Sequence, residues 1–305
     1  MTRPQIPGLA GAPAADRTLV MGVVNVTPDS FSDGGRWLDA DAAVARGRRL
    51  VADGADLVDV GGESTRPGAQ RVDEATELER VVPVVRALAG DGVAVSVDTM
   101  RASVAAAAWD AGAALVNDVS GGRADPDMLR VVADVGAPFV VMHWRAHSAS
   151  MQDADHTRYD DVVADVRTEL AQQVDDALAA GVGPDRVVVD PGLGFSKTGV
   201  QNWQVLEALD AFATLGHPLL VAASRKRFLG ELLAVGGELR PAAERDDASA
   251  ALTTLAAHAG AWAVRVHEAR PSSDAVRVVA RLAGSGFEAR AAGGTRTSTS
   301  GGGAT

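Results

Sequence analysis

Charged and polar side chains stand at the ends of short apolar runs throughout the chain, and these residues could do chemistry. The set comprises Asn25, Asp98, Asn117, Asp118, His143, Asp190, Ser224, Lys226, Arg265 and His267. Carboxylates, amides and cations in one place can bind a polar small molecule and stabilise charge that forms during a reaction. If the apolar runs are strands whose ends meet, the sequence predicts one site built from many of them.

Each polar strand end also has a simple structural explanation when it is considered alone. Asp98 could cap the following helix, and Asn117-Asp118 could begin a turn. Ser224-Arg-Lys-Arg227 could be a solvated basic patch. Capping needs a short polar residue, however, so it does not explain Arg265 and His267 at the end of the last run. Because eight strand ends behave alike, we favour a shared site.

Several common catalytic and metal-binding motifs do not occur in the sequence. There is no Gly-x-x-x-x-Gly-Lys-Ser/Thr phosphate loop and no Gly-x-Ser-x-Gly elbow of a serine hydrolase. Gly192-Leu-Gly194 lacks the third glycine of a dinucleotide-binding fingerprint. His143 and His147 have the i, i+4 spacing of a zinc pair, but no Glu accompanies them, so a zinc site is disfavoured.

The elements that must position these residues are strands and helices in alternation. Runs rich in Val, Ile and Leu alternate with Ala-rich segments of helical period, as expected for strands buried on both faces between amphipathic helices. The predicted strands are 18–25, 57–61, 93–98, 114–118, 138–143, 186–190, 218–222 and 261–267. Helices are predicted over 203–215 and 244–258, among others. Eight such units predict an α/β fold, a single (β/α)8 TIM barrel, with an open parallel sheet as the alternative.

Length and composition narrow the class of protein. The 305 residues suit one barrel, which we place at 18–288, with disordered tails at 1–17 and 289–305. The net charge of −11 disfavours nucleic acid as a partner. No cysteine is present, and no run reaches the roughly 18 apolar residues of a membrane span. We therefore expect a cytoplasmic protein that binds neither nucleic acid nor a membrane.

Over 19–282 the sequence resembles the dihydropteroate synthases, particularly those of actinobacteria. The motifs that carry this resemblance are Asn25–Gly35, Gly61–Gly68, Asp98-Thr-Met100, Asn117–Gly121, Asp190–Phe195, Ser224-Arg-Lys226 and Arg265-Val-His267. We find no departure at a position that the family uses for chemistry. The resemblance implies a reaction in which p-aminobenzoate displaces pyrophosphate from 6-hydroxymethyl-7,8-dihydropterin diphosphate.

The resemblance also assigns residues to this reaction. It implies catalytic roles for Asp98, Lys226, Asp33, Thr65 and Arg66. The implied substrate-binding residues are Phe31, Thr65, Pro67, Asp98, Asn117, Met142, Asp190, Phe195, Ser224, Lys226, Arg265 and His267. Residue chemistry agrees, because carboxylates, an amide and a cation can pair with a pterin edge, and a guanidinium can lie flat on its ring. Asn25 would offer one oxygen to Mg²⁺ bound by the diphosphate.

Two further functions share part of this pattern. A barrel that transfers a methyl group from methyltetrahydrofolate would use the pterin-binding residues, but it has no need of Arg265-Val-His267 for a diphosphate. A catalytically silent pterin-binding paralogue is the other alternative, and Lys226 disfavours it. The family resemblance further implies sulfonamide binding and a homodimer through the outer helices near strands six to eight. The segment 235–241 has no assigned role.

Overall fold

Eight parallel strands form the centre of the molecule. The computed structural model describes residues 6, 9, 16–27, 36–64, 68, 69 and 71–284. The strands are β1 (Leu19–Asn25), β2 (Leu57–Gly61), β3 (Val95–Asp98), β4 (Leu115–Asp118), β5 (Phe139–Met142), β6 (Val187–Asp190), β7 (Leu220–Val221) and β8 (Ala263–Val266). They bond in the order β6-β5-β4-β3-β2-β1-β8-β7, and a bridge between Val189 and Leu219 closes the ring. The predicted barrel is confirmed.

Helices follow the strands and cover the outside of the barrel. They are α1 (Arg36–Ala52), α2 (Glu74–Gly90), α3 (Ala102–Asp110), α4 (Met128–Val135), α5 (Val162–Ala179), α6 (Gly199–Glu207), α7 (Leu209–Ala213), α8 (Arg227–Leu232), α9 (Asp246–His258) and α10 (Ala269–Gly284). Asp73 caps α2 by accepting a hydrogen bond from the amide of Thr76 at 2.8 Å. In the described part of the chain no helix has the length and apolarity needed to cross a membrane.

The helices after β6 and β7 differ from the prediction. The single helix predicted over 203–215 is two helices, α6 and α7, which meet at Ala208. The first begins earlier because Thr198 and Gln201 form a capping box, in which each side chain bonds to the other residue's backbone. The segment after β7 contains α8, a six-residue helix that sequence periodicity did not reveal.

Side chains that point into the barrel form two layers of different character. The lower layer, at the amino ends of the strands, is apolar and includes Leu57, Leu115, Val188 and Ala263. Residues two positions apart share one face of a strand. The upper layer therefore holds the residues two positions further along these strands, namely Asp59, Asn117, Asp190 and Arg265. The polar site rests on an apolar floor.

Part of the amino-terminal segment contacts this floor from below. Ile6 is buried against the lower layer, and Leu9 packs against the same cluster. Arg17 forms a two-bonded ion pair with Asp56, with distances of 2.7 and 2.8 Å. These contacts attach the described residues Ile6, Leu9 and Arg17 to the barrel.

Candidate active site

The carboxyl ends of neighbouring strands place the predicted site residues side by side. Strand pairing sets Asn25 beside Gly61, Gly61 beside Asp98, and Asp98 beside Asn117. Gly61 has no side chain to separate its neighbours, and a Cβ built there would lie 3.3 Å from the Cβ of Asp98. The predicted grouping of Asn25, Asp98 and Asn117 at one end of the barrel is therefore present.

Two ion pairs, from β8 to β2 and from β8 to β3, organise the centre of the site. Arg265 of β8 donates from Nε to Oδ2 of Asp59 at 2.6 Å and from Nη2 to Oδ2 of Asp98 at 2.7 Å. Asn117 donates to the same Asp59 oxygen at 3.0 Å. The planar guanidinium is thus fixed by two carboxylates, which a lysine could not bind in this geometry.

Asp59 is a site residue for which the sequence analysis predicted no role. It is fully buried in β2, and its Oδ1 has no hydrogen-bond partner among the described residues. A usable signal was present, because an acidic residue inside the run Leu57-Val-Asp-Val-Gly61 must face a partner or remain a costly buried charge. That partner lies 206 residues away in the sequence.

The ionisation of Asp98 is sensitive to its surroundings. Burial, reinforced by the nearby carboxylate of Asp59, raises the pKa of Asp98 to about 7, and the guanidinium of Arg265 opposes the rise. A cation that formed close to this carboxylate would favour its ionised form. Asp98 is therefore suited to respond to positive charge that develops on a bound ligand.

The loop after β6 supplies Asp190 and Phe195. One carboxylate oxygen of Asp190 accepts a hydrogen bond from the amide of Gly192 at 2.7 Å. Gly192 has φ of 68°, and a Cβ there would lie 2.5 Å from the carbonyl oxygen of His143, so only glycine fits. Burial raises the pKa of Asp190, against the opposing effect of this hydrogen bond and of Lys226. Phe195 packs in an apolar cluster with Met142.

Lys226 enters the site while the arginines on either side of it do not. Arg225 has φ of 59° and is held by two 2.7 Å bonds to Asp246. Lys226 Nζ lies 4.3 Å from the centre of the Phe195 ring. Burial, together with the charge of Arg265, lowers the pKa of Lys226 to about 8. The exposed Arg227 pairs with Glu231 on the surface of α8, so the motif is not simply a basic patch.

Ser224 and His267 meet at the rim formed by the ends of β7 and β8. Ser224 Oγ lies 3.1 Å from Nδ1 of His267 and accepts a hydrogen bond from the backbone amide of His267 at 3.2 Å. These contacts join the ends of β7 and β8 next to Arg265. The predicted residues Phe31, Asp33, Thr65, Arg66 and Pro67 lie outside the described residues.

The assembled side chains can bind a flat, polar, nitrogen-containing ring. Three carboxylates, those of Asp59, Asp98 and Asp190, face two cations, those of Arg265 and Lys226. When all five are ionised the group carries one excess negative charge, which stabilises a reaction that develops positive charge on the ligand. The barrel and this site define an enzyme that binds a heterocycle at the carboxyl end of its strands.

Comparisons with known proteins agree with this class. The family described as pterin binding enzyme matches residues 21–267. A dihydropteroate synthase of Mycobacterium leprae is 57% identical over 261 residues, covering 85% of this chain and 92% of that protein. A dihydropteroate synthase structure from Xanthomonas albilineans with 4-aminobenzoic acid is 45% identical, with a TM-score of 0.80 over 88% of this chain and 94% of that one.

A third relative comes from Yersinia pestis. Its dihydropteroate synthase, solved with a sulfonamide drug, is 40% identical and has a TM-score of 0.81, covering 88% of this chain and 95% of that one. The chain belongs to the dihydropteroate synthase family of pterin-binding enzymes.

Proposed function

We propose that this protein condenses 6-hydroxymethyl-7,8-dihydropterin diphosphate with p-aminobenzoate to give 7,8-dihydropteroate and pyrophosphate in folate biosynthesis. The main support is the group of Asp59, Asp98, Asn117, Asp190 and Arg265 in the upper layer of the barrel, because their oxygens and donors complement the edge and face of a pterin. The family relationship supports the same reaction.

The pterin ring would lie above the apolar floor of the barrel. The carboxylate of Asp190 and the amide of Asn117 would pair with its amino group and ring nitrogens, and Arg265 would lie along its face. Diphosphate oxygens would accept hydrogen bonds from Arg265 and His267 at the rim. This orientation places the reacting methylene group between Asp98 and the rim.

In the reaction the bond between the methylene carbon and the diphosphate oxygen breaks with both electrons going to pyrophosphate. The carbon that remains is stabilised as a cation by the pterin ring, and the Asp98 carboxylate provides the opposite charge. The amine nitrogen of p-aminobenzoate then forms a bond to this carbon and releases one proton. No side chain needs to act as a nucleophile.

p-Aminobenzoate would bind between Phe195 and Lys226, whose ammonium already lies against the Phe195 ring. The aliphatic stem of Lys226 can pack on the aromatic ring while its charged end faces the pterin. Sulfonamides resemble p-aminobenzoate in shape and charge, so they would compete for this place, as the drug complex of the Yersinia pestis relative suggests.

Mg²⁺ would be bound by Asn25 together with the diphosphate. The described residues contain no group of three acidic, histidine or cysteine ligands. Asn25, partly exposed at the end of β1, provides one uncharged oxygen, which fits an ion that keeps most of its water and takes other ligands from phosphate. When bound, the ion would neutralise charge on the departing pyrophosphate.

The experiment that tests this function measures 7,8-dihydropteroate formed from the two substrates, with and without a sulfonamide. We expect turnover that the sulfonamide inhibits competitively with p-aminobenzoate. Asp98→Asn should lower turnover roughly ten- to a hundredfold, since a buried charge-assisted contact is worth about 1.5–3 kcal/mol. Pterin binding without product would favour a silent paralogue, and methyl transfer from methyltetrahydrofolate would favour the other alternative.

We also propose that the protein forms a homodimer and is located in the cytoplasm. Leu255 of α9 and Val278 of α10 are exposed large apolar side chains on the outer helices. Their exposure supports a homodimer through this face, which sedimentation of wild type and of Leu255→Glu would test. The cytoplasmic location stays a prediction, and fractionation of cells that express the protein would test it.

A further inference from the structure

A second lysine, Lys197, lies buried behind the site in the loop after β6. Its side chain is 2% exposed. Nζ lies 3.0 Å from Nδ1 of His143 and donates to the carbonyl of Gly192 at 3.1 Å. The chain has only two lysines, Lys197 and Lys226, among 29 basic residues. A chain that otherwise uses arginine has a compact ammonium at these two positions, of which Lys197 is buried and Lys226 is partly buried.

Burying an ammonium is costly, so Lys197 must be favoured by specific contacts. Burial lowers the pKa of Lys197 to about 7, and the carboxylate of Asp190 opposes this effect. Glu169 also favours the charged form, whereas Arg145 and Lys226 disfavour it. An apolar side chain would avoid the desolvation cost. The contacts that the ammonium makes must therefore explain why a lysine occupies position 197.

Those contacts hold Gly192 on both sides. Its amide donates to Asp190, and its carbonyl accepts from Lys197 Nζ. The backbone amide of Lys197 donates to the carbonyl of Phe195 at 2.7 Å, and the amide of Phe195 donates to the Gly192 carbonyl at 3.3 Å. The side chain proposed to bind the pterin and the ring proposed to bind p-aminobenzoate are thus linked through the same short turn.

The same ammonium of Lys197 is also anchored by the loop after β5. Because Nδ1 of His143 accepts from Lys197, its Nε2 carries the proton and donates to Glu169 at 2.9 Å. Arg145 donates to Glu169 at 2.8 Å and stacks 3.8 Å above the centre of the Tyr159 ring. The Tyr159 hydroxyl donates to the carbonyl of Ser196 at 2.7 Å, beside Lys197. The contacts form a closed ring between the two loops.

We propose that Lys197 is a positioning residue, which holds Asp190 and Phe195 in their substrate-binding places through the carbonyl of Gly192. It does not touch substrate. This inference rests on the proposed function. Loss of the Lys197 donor would leave the Gly192 carbonyl buried without that bond. The turn from Asp190 to Phe195 would then shift so that this carbonyl meets another hydrogen-bond donor.

The test compares wild type with Lys197→Met, which keeps the apolar stem and removes the donors. We expect the Kd of 6-hydroxymethyl-7,8-dihydropterin, measured by calorimetry, to rise about tenfold, or about 1.4 kcal/mol. The KM of p-aminobenzoate should also rise. The affinity for pyrophosphate with Mg²⁺ depends on Asn25, Arg265 and His267 and not on the β6 loop, so it should stay within about twofold of wild type.

Thr253→Val is the matched control for a merely structural effect. It removes a buried contact of 3.0 Å between Thr253 and Ser272, which joins α9 to α10 away from the β6 loop. We expect it to lower the unfolding temperature without changing the Kd of the pterin. If Lys197→Met does not fold, His143→Gln provides the second variant, since the carboxamide of Gln corresponds in chain length to Nε2 and places no acceptor at Nδ1, the atom that accepts from Lys197.

His143→Gln should weaken pterin binding about threefold, less than Lys197→Met, because Lys197 keeps its bond to the Gly192 carbonyl. Wild-type affinity for the pterin in either folded variant would overturn the inference. An equal loss of affinity for pterin, p-aminobenzoate and pyrophosphate would also overturn it, because it would indicate general damage. Failure of the wild-type protein to bind the pterin would instead count against the proposed function.

Discussion

Lys226 and Arg227 are adjacent in the sequence but have different surroundings. Lys226 lies against Phe195 in the site, whereas Arg227 forms an exposed i, i+4 pair with Glu231. An exposed pair of this kind contributes little to stability. The two positions therefore provide an internal comparison between a site residue and a surface residue of similar charge.

We predict that Lys226→Met weakens binding of both pterin diphosphate and p-aminobenzoate by about 1–3 kcal/mol each, because buried acceptors lose their donors. Arg227→Met should stay within about 0.5 kcal/mol of wild type in stability and should change binding little. Calorimetry and steady-state kinetics of both variants provide the measurement. Small, similar effects at the two positions would reduce Ser224–Arg227 to a basic surface segment.

Some individual site residues could be predicted from the sequence and others could not. Asp98, Asn117 and Asp190 could be predicted because each follows a recognisable apolar strand. Asp59 and Lys197 were missed, since their importance depends on partners that are distant in sequence, Arg265 and His143. The type of a residue shows what it could bind, but only the fold shows which partner it meets.

At the scale of elements, buried strands were easier to predict than the helices around them. All eight strands begin and end within a few residues of their predicted bounds, because buried parallel strands are continuous apolar runs. The helix α8 has only six residues, too few for a periodic pattern, and α6 begins at a capping box that lies before the apolar repeat. Short helices and local caps are therefore the parts that the periodicity did not resolve.

The capping box of α6 leads to a prediction about the element that follows the β6 loop. Thr198→Ala should lower the free energy of unfolding by about 1 kcal/mol, because the amide of Gln201 loses its acceptor. Thr254→Ala, inside α9, removes only a bond to the carbonyl of Ala250 and should be neutral or stabilise by up to about 0.5 kcal/mol. Urea unfolding compares the two variants, and equal losses would contradict the capping role.

At the scale of the whole molecule, the buried His143 links stability to pH. Burial, together with the charge of Lys197, lowers the pKa of His143 to about 3, although Glu169 opposes the shift. The folded state therefore favours neutral histidine, while the unfolded chain takes up a proton below its ordinary pKa of about 6.5. This contribution to stability is complete above that value and is lost as the pH falls toward 3.

We predict that His143→Gln removes this dependence. The difference in unfolding free energy between wild type and variant should shrink as the pH falls from 6.5 to 4, by up to about 1.4 kcal/mol per pH unit. Buried Asp98 and Asp118 have raised pKa values and act in the opposite direction, but they are common to both proteins. His258→Gln, on the exposed side of α9, is the control. A constant difference between wild type and His143→Gln would contradict the prediction.

The scarcity of lysine has a practical consequence for the whole molecule. Apart from the backbone amino terminus, every primary amine in the chain belongs to Lys197 or Lys226. Reductive methylation with ¹³C-formaldehyde would therefore label the amino terminus and Lys226 in the site, where a pKa of about 8 leaves part of the Lys226 amine neutral and reactive. Lys197 is shielded by its burial. The methyl resonance of Lys226, assigned by its absence from Lys226→Met and so distinguished from that of the amino terminus, would then follow the filling of the site in solution.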